Sequence, residues 1–364
     1  MEEKINSLIN QIEAKYGLDL KDTALIVTSK NNRLYFSGLN STDGTVVITK
    51  ASAYLLIDFR YFEVARKVVK HLQVTLITDV FESLRKILKK HEIKNALIEN
   101  EFVSLSKYKR CRRFLNNLNV NLLEENILSP AINDLRMIKT QSEIKKIKTA
   151  QEIAELAFNR VINEIKIGMT EKEIAARLDY IMIKNGAMCA AFDTIVVSGE
   201  NSSLPHGTPS NKKIEKGDFL LIDMGANFEG YCSDMTRTLA VTTATQEQRT
   251  AYDIVLKAQN KALNCVRCGI KCKDIDAVAR DVIEKSEYKG KFGHALGHGV
   301  GLDVHEGPTL SYKSEQILQK SMVVTIEPGI YIEGKFGIRT EDMVLVQSEG
   351  YDNFTNITKE LIII

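Results

Sequence analysis

The chain opens on an amphipathic helical pattern, after which apolar runs of strand length alternate with helical stretches. The runs are Ala24 to Thr28, Thr45 to Ile48, Tyr54 to Ile57, Val74 to Ile77 and Ala96 to Ile98, the rhythm of an α/β domain. Between the first two, Lys30 to Gly44 carries Asn31, Asn32, Gly38 and Asp43, which predicts turns and a meander, and hence a mixed sheet. Ser129 and Pro130 interrupt the pattern, so the boundary is drawn there, with domains at 1–128 and 129–364. The next helix is expected to start near Ser142, with Glu143 behind it and apolar positions at Ile144, Ile147, Ile153 and Leu156. Beyond it the periodicity predicts helices at about 171–184, 247–264 and 274–286, and strands near 194–198, 218–224, 322–327 and 342–347. The second domain is therefore expected to be α+β.

Composition narrows what such a chain can do. Its 364 residues, 44% of them hydrophobic, suffice for two cored domains. The 49 basic and 47 acidic side chains nearly cancel, so no long-range field recruits nucleic acid or anionic lipid. The basic cluster Lys107, Lys109, Arg110, Arg112 and Arg113 is read as a solvated helix face. Met1, Glu2, Glu3 and Lys4 do not begin a secretory signal, no apolar run reaches bilayer length, and six scattered cysteines suit a reducing cytoplasm. Cys265, Cys268 and Cys272 lack a second pair to complete a zinc tetrahedron and are read as surface or half-buried thiols.

The chemistry concentrates in the second domain. Four of the six histidines (His206, His294, His298, His305) fall there, while His71 and His91 are read as surface residues of the first. Phe219 to Ile222 form an apolar strand ending at Asp223, and Asn227 to Gly230 supply a turn before Tyr231, Cys232, Ser233 and Asp234. A turn centred between Phe228 and Glu229 would set Asp223 directly opposite Asp234, with Cβ atoms roughly 5 Å apart, where like charges need a cation or a proton between them. The bland alternative has one aspartate capping the turn and the other pairing with Arg237. Downstream, His298 sits among Gly297, Gly299 and Gly301, and Glu327 and Glu341 fall at the ends of apolar strands. Four clustered carboxylates and an imidazole are balanced by two divalent ions, and oxygen-rich ligation favours Mn²⁺, with Co²⁺ or Zn²⁺ as alternatives.

These segments resemble the pita-bread metallopeptidases of the Xaa-Pro aminopeptidase (aminopeptidase P) and Xaa-Pro dipeptidase (prolidase) group. The resemblance rests on Ile195 to Asn201 leading to Pro205 and His206, on Asp223 to Ala226 and Gly230 to Thr238, and on Gly297 to Leu302 running to His305, Glu306, Gly307 and Pro308. Thr325 to Gly329 and Gly337 to Asp342 complete it. It is strong from about Leu135 to the C-terminus and weaker over the first domain, which is similar to the creatinase-type N-terminal domain; Asp58, Arg60 and Tyr61 fit a pattern seen there, though strand-end packing explains them as well. Thr340 departs from the branched apolar residue common before the last ligand, and Phe192 supplies the pocket aromatic.

The resemblance implies that Asp234 and Glu341 bridge two metals, that Asp223 completes one site and His298 with Glu327 the other, and that a shared water is the nucleophile. It further implies that Glu327 shuttles a proton to the leaving nitrogen, that His206, His294 and His305 hydrogen-bond substrate and the tetrahedral intermediate, and that Phe192 and Val304 shape the side-chain pocket. Arg339 would bind substrate or order the ligands, or would simply pair with a metal carboxylate, and Thr236 would support a ligand in the same way. The implied protein is a cytoplasmic homodimer acting on short proline-containing peptides, with no nucleic acid or membrane partner. An aminopeptidase P-like activity is the leading expectation and a prolidase activity the alternative. Methionine aminopeptidase is disfavoured by the long N-terminal domain, creatine amidinohydrolase by the intact ligand set, and a catalytically inactive peptide-binding scaffold is more remote.

Overall fold

A computed structural model gives the fold of residues 2–364. The chain divides into two compact units, one running to Arg136 and the other from Met137 to Ile364.

The first unit is built on a six-stranded mixed sheet in the order Gln73–Leu76, Ala53–Ile57, Thr45–Ile48, Thr23–Val27, Asn95–Ile98, Asn121–Leu122. The middle hairpins are antiparallel and the outer pairings parallel. All five expected strands form, but Lys30–Ser37 is a helix rather than a run of turns. Its cap is supplied from far along the chain. The buried Glu99 carboxylate accepts from the Thr28 and Ser29 amides, from Ser29 Oγ at 2.7 Å and from Asn32 Nδ2 at 2.7 Å, which satisfies a helix start whose own serine makes no cap bond. Gly38, at φ 72, closes the helix in the left-handed conformation.

Leu128–Met137 is also helical, so Ser129 and Pro130 begin an element instead of interrupting one. Pro130 lies in the first turn, where its missing N–H costs nothing. Asp58 caps the helix Phe59–Val68 by accepting from the Arg60 amide, and Tyr61 bonds Thr42, so this trio is engaged in local structure. His71 and His91 are half-buried, bonded to the Phe36 carbonyl and the Tyr54 hydroxyl, and are not plain surface residues. The basic residues of Leu105–Asn116 are exposed, as expected of a solvated face.

The second unit repeats one scheme twice: a pair of helices packed on an antiparallel sheet. Gln141–Ile162 and Glu171–Lys184 cover strands Ile195–Ser198, Phe219–Met224 and Met235–Ala240. Gln246–Leu263 and Cys272–Glu284 cover strands that include Gly297–Gly299, Val323–Ile326 and Asp342–Val346. Three of the four helices start on a threonine capping box, at Thr140, Thr170 and Thr245. Strand alternation then sorts the side chains. Leu220, Ile222 and Met224 enter the first core, which turns Asp223 the other way; Val324, Ile326, Val344 and Val346 enter the second, which turns Thr325 and Met343 away from it. Cys272 belongs to that second core and is fully buried, not a surface thiol.

Candidate metal centre

Asp223 pairs with Thr236, and Phe228 with Tyr231, so the hairpin turns on Glu229 and Gly230. Both have positive φ, 50 and 89, the two-residue turn whose twist matches the strands. The expected register is thus corrected by two residues: Asp223 faces Thr236, and Asp234 comes out diagonal to it. A shift of two leaves both carboxylates on one face of the ladder, where a shift of one would have separated them. Gly225 makes the crossing feasible, since a Cβ there would sit 1.9 Å from the Ser233 carbonyl oxygen. Arg237 takes neither aspartate: it is buried against Asp342 at 2.8 Å and also binds the Glu341 carbonyl at 2.6 Å.

Glu327 and Glu341 lie just outside strands Val323–Ile326 and Asp342–Val346, and Gly297 lets the His298 strand close on Thr325, whose carbonyl oxygen would be 2.0 Å from a Cβ. Asp223, Asp234, His298, Glu327 and Glu341 all line one cavity of about 560 Å³, together with His206, His294, His305, Phe192, Val304 and Arg339. Donor atoms of Asp234, His298 and Glu341 fall within 4.8 Å of one another. Glu327 Oε1 is 3.4 Å from His298 Nε2, and Asp234 Oδ2 is 3.6 Å from the same atom.

These contacts test whether a cation fits. His298 Nδ1 lies 3.1 Å from the Gly299 carbonyl oxygen, which can only accept, so Nδ1 carries the hydrogen. Burial, reinforced by His305, pushes the imidazole down to about 4 and keeps it neutral. Its Nε2 lone pair therefore points at two carboxylates, an arrangement of acceptors that only a cation or a proton relieves. Asp223 Oδ1 is buried without a hydrogen-bond partner among the described residues. Burial first and Glu341 second hold Asp234 and Glu327 far above the ordinary carboxylate range, and burial with Asp223 pushes Glu341 up to about 8. The donor set thus suits divalent cations of the hard or borderline kind.

The supporting contacts are directional. Thr236 Oγ1 donates to Glu341 at 2.7 Å. Arg339 donates to Asp223 at 2.6 Å, to Thr236 Oγ1 at 3.1 Å, to the Pro205 carbonyl at 3.1 Å and to the Tyr331 hydroxyl at 2.7 Å. Its ion pair with Asp223 is thus one of four bonds, which take four of its five N–H groups and leave one on Nη2 without an assigned acceptor. Tyr331, which sequence reasoning missed because nothing local marks it, passes its own hydrogen to His294 Nε2 at 3.1 Å, while His294 Nδ1 donates to the Ala295 carbonyl at 2.8 Å. Both nitrogens of His294 are therefore spent within the protein, so it presents ring surface to the cleft, where a hydrogen bond to substrate was expected. Burial, with Arg339 nearby, drives its pKa down to about 4. His206 and His305 make no side-chain hydrogen bond among the described residues and keep their nitrogens for a ligand; the His305 ring stands edge-on to His298, centroids 4.1 Å apart.

A consequence for the metal-free protein follows from Glu341. A carboxyl raised from 4.5 to about 8 binds its proton more tightly folded than unfolded, so folded stability falls as pH rises through that interval. His294 and His298, depressed from 6.5 to about 4, act in the opposite sense below about pH 6.5. Chelated protein is therefore expected to lose thermal stability from about pH 6.5 to 8, and added Mn²⁺ to raise the melting temperature most at the upper end of that range. Scanning fluorimetry at several pH values checks both; a chelated protein whose stability rises over the same range would contradict the clustering.

Fold and site together define a metal-dependent hydrolase of the two-domain pita-bread class. Residues 145–348 match metallopeptidase family M24, and residues 9–138 match the creatinase/prolidase N-terminal domain. The chain belongs to metallopeptidase family M24. It is 38% identical to the Xaa-Pro dipeptidase of Pyrococcus horikoshii, covering 100% of this chain and 99% of that one. Among solved structures, it is similar to the Xaa-Pro dipeptidase from Bacillus anthracis, with TM-score 0.94 at 37% identity over 100% of this chain and 99% of the other. It is also similar to the X-Pro aminopeptidase from Thermotoga maritima, with TM-score 0.88 at 38% identity over 94% and 97%. No helix among the described residues is long and apolar enough to cross a membrane.

Proposed function

We propose that this chain is an Xaa-Pro dipeptidase, with two divalent ions, Mn²⁺ for preference and Co²⁺ or Zn²⁺ as alternatives, held by Asp223, Asp234, His298, Glu327 and Glu341. The observation that carries the reading is the neutral His298 Nε2 aimed at Asp234 and Glu327 inside one cavity. Such ions supply Lewis acidity, polarising the scissile carbonyl and making water a nucleophile at neutral pH. The side chains do the rest. Glu327 is placed to hold a proton for the leaving nitrogen, which a tertiary Xaa-Pro amide must acquire to depart. His206 and His305 offer uncommitted imidazoles to the carbonyl and the developing oxyanion. Phe192, Val304 and the ring of His294 give the proline an apolar wall.

The dipeptidase reading replaces the expected aminopeptidase P-like one because relatives similar over the whole chain carry the name Xaa-Pro dipeptidase. The Thermotoga maritima aminopeptidase keeps the longer-peptide activity as the second reading. A cytoplasmic homodimer is the setting proposed for either. Turnover of an Xaa-Pro dipeptide and of an Arg-Pro-Pro tripeptide, each with Mn²⁺, Co²⁺ or Zn²⁺, decides between them. The dipeptide is expected to be the better substrate; faster tripeptide cleavage would favour the aminopeptidase, and no cleavage of either would favour a scaffold.

A further inference from the structure

We infer that Glu171 is the positioning residue for His206, clasping both ends of the loop that carries this imidazole into the cleft; the inference deepens the peptidase reading and rests on it for the role of His206. Glu171 opens the helix Glu171–Lys184, yet that helix start is already served by Thr170 and Glu173. The Glu171 side chain is fully buried and turns elsewhere. Its Oε1 accepts from the Ser198 amide at 2.7 Å and Ser198 Oγ at 3.0 Å, and its Oε2 from the Ser210 amide at 2.9 Å and Ser210 Oγ at 2.7 Å. Asn201 Nδ2 reaches the two oxygens at 3.2 and 3.3 Å. The nearby cation does not join them: Lys212 Nζ bonds Ser198 Oγ at 3.0 Å and Asp218 at 2.7 Å.

One buried carboxylate is thus saturated by five donor atoms, all from a single loop. Ser198 ends the strand Ile195–Ser198, and the 3₁₀ turn Gly199–Ser203 follows before His206. Holding Ser198 and Ser210 on the same group closes the segment into a compact loop of the Ω kind. Its tip is fastened to the metal centre separately, since the Pro205 carbonyl accepts from Arg339 at 3.1 Å. Base and tip together fix where His206 stands, although Glu171 touches neither the imidazole nor any metal-ligand candidate. Glutamine has the same shape but presents an amide N–H₂ to a ring of donors, so one end of the loop loses its acceptor.

The test uses the metal-loaded full chain carrying Glu171→Gln, His206→Ala, or both. Expected results are unchanged bound metal in E171Q, a fall in kcat/KM on an Xaa-Pro dipeptide on the order of ten- to a hundredfold, faster amide hydrogen exchange over residues 199–207, and a double variant no slower than H206A alone. That non-additivity is what a merely structural glutamate would not produce. Multiplying effects in the double variant, or wild-type turnover in E171Q, would overturn the inference. Should E171Q fail to fold, Ser210→Ala removes one donor and keeps the amide; it is expected to show the same loss relative to H206A in milder form, and additivity there counts against the clasp. Absence of Xaa-Pro cleavage by the unmodified chain would instead overturn the functional reading, and unaltered loop exchange in E171Q would overturn the clasp whatever the substrate.

Discussion

Asp234→Asn is expected to abolish hydrolysis and to strip bound metal together. Asp234 stands 4% exposed between His298 and Glu341, its ligand atom grouped with theirs, so its loss removes a donor from the middle of the cluster. Charge stabilisation worth several kcal/mol goes with it, and at about 1.4 kcal/mol per factor of ten that is on the order of a thousandfold in rate. Asparagine is isosteric and removes one of several buried like charges, so the metal-free variant should melt no lower than chelated wild type. Kinetics, metal content and melting temperature on one preparation separate this outcome from misfolding: loss of activity with full metal content, or a much lower melting temperature than the chelated parent, would count against a shared ligand.

Arg339→Met should cost folding stability as well as turnover. Among the described residues the guanidinium is the one cation lining a cleft that also holds Asp223, Asp234, Glu327 and Glu341; of its partners, Asp223 and Thr236 are buried, and Tyr331 and Pro205 are half-buried. Removing one member of a buried charged set leaves the others uncompensated, a loss of about 3–5 kcal/mol. Lysine offers a point charge without the planar fork and is expected to rescue only part of it. Denaturant unfolding of the metal-loaded variants measures the difference, and a midpoint for R339M within experimental error of wild type would show that these contacts do not hold the site together.

Much of this was legible in the sequence because the signals were local. Phe219 to Asp223 read as a strand with a carboxylate at its end, and Gly297, His298 and Gly299 as backbone packed closely around an imidazole; in the fold all five ligand candidates do line one cavity. What the sequence concealed was set by distant partners. Lys30–Ser37 looks like a run of turns because its start is satisfied by Glu99, far along the chain. The hairpin register depended on whether Glu229 would accept a positive φ beside Gly230, a conformation that nothing in a glutamate advertises. Pro130 was taken for a break when it occupies the first turn of a helix. Tyr331 and Glu171 carry no motif at all, and their roles appear only once Arg339, His294, Ser198 and Ser210 are placed around them.

Anomalous diffraction from crystals of the full chain grown with Mn²⁺ tests the central claim most directly. Two peaks are expected inside the cleft, contacted by Asp223, Asp234, His298, Glu327 and Glu341. Peaks elsewhere, or a cleft with no anomalous signal at saturating Mn²⁺, would contradict the assignment of these five side chains to a cation pair.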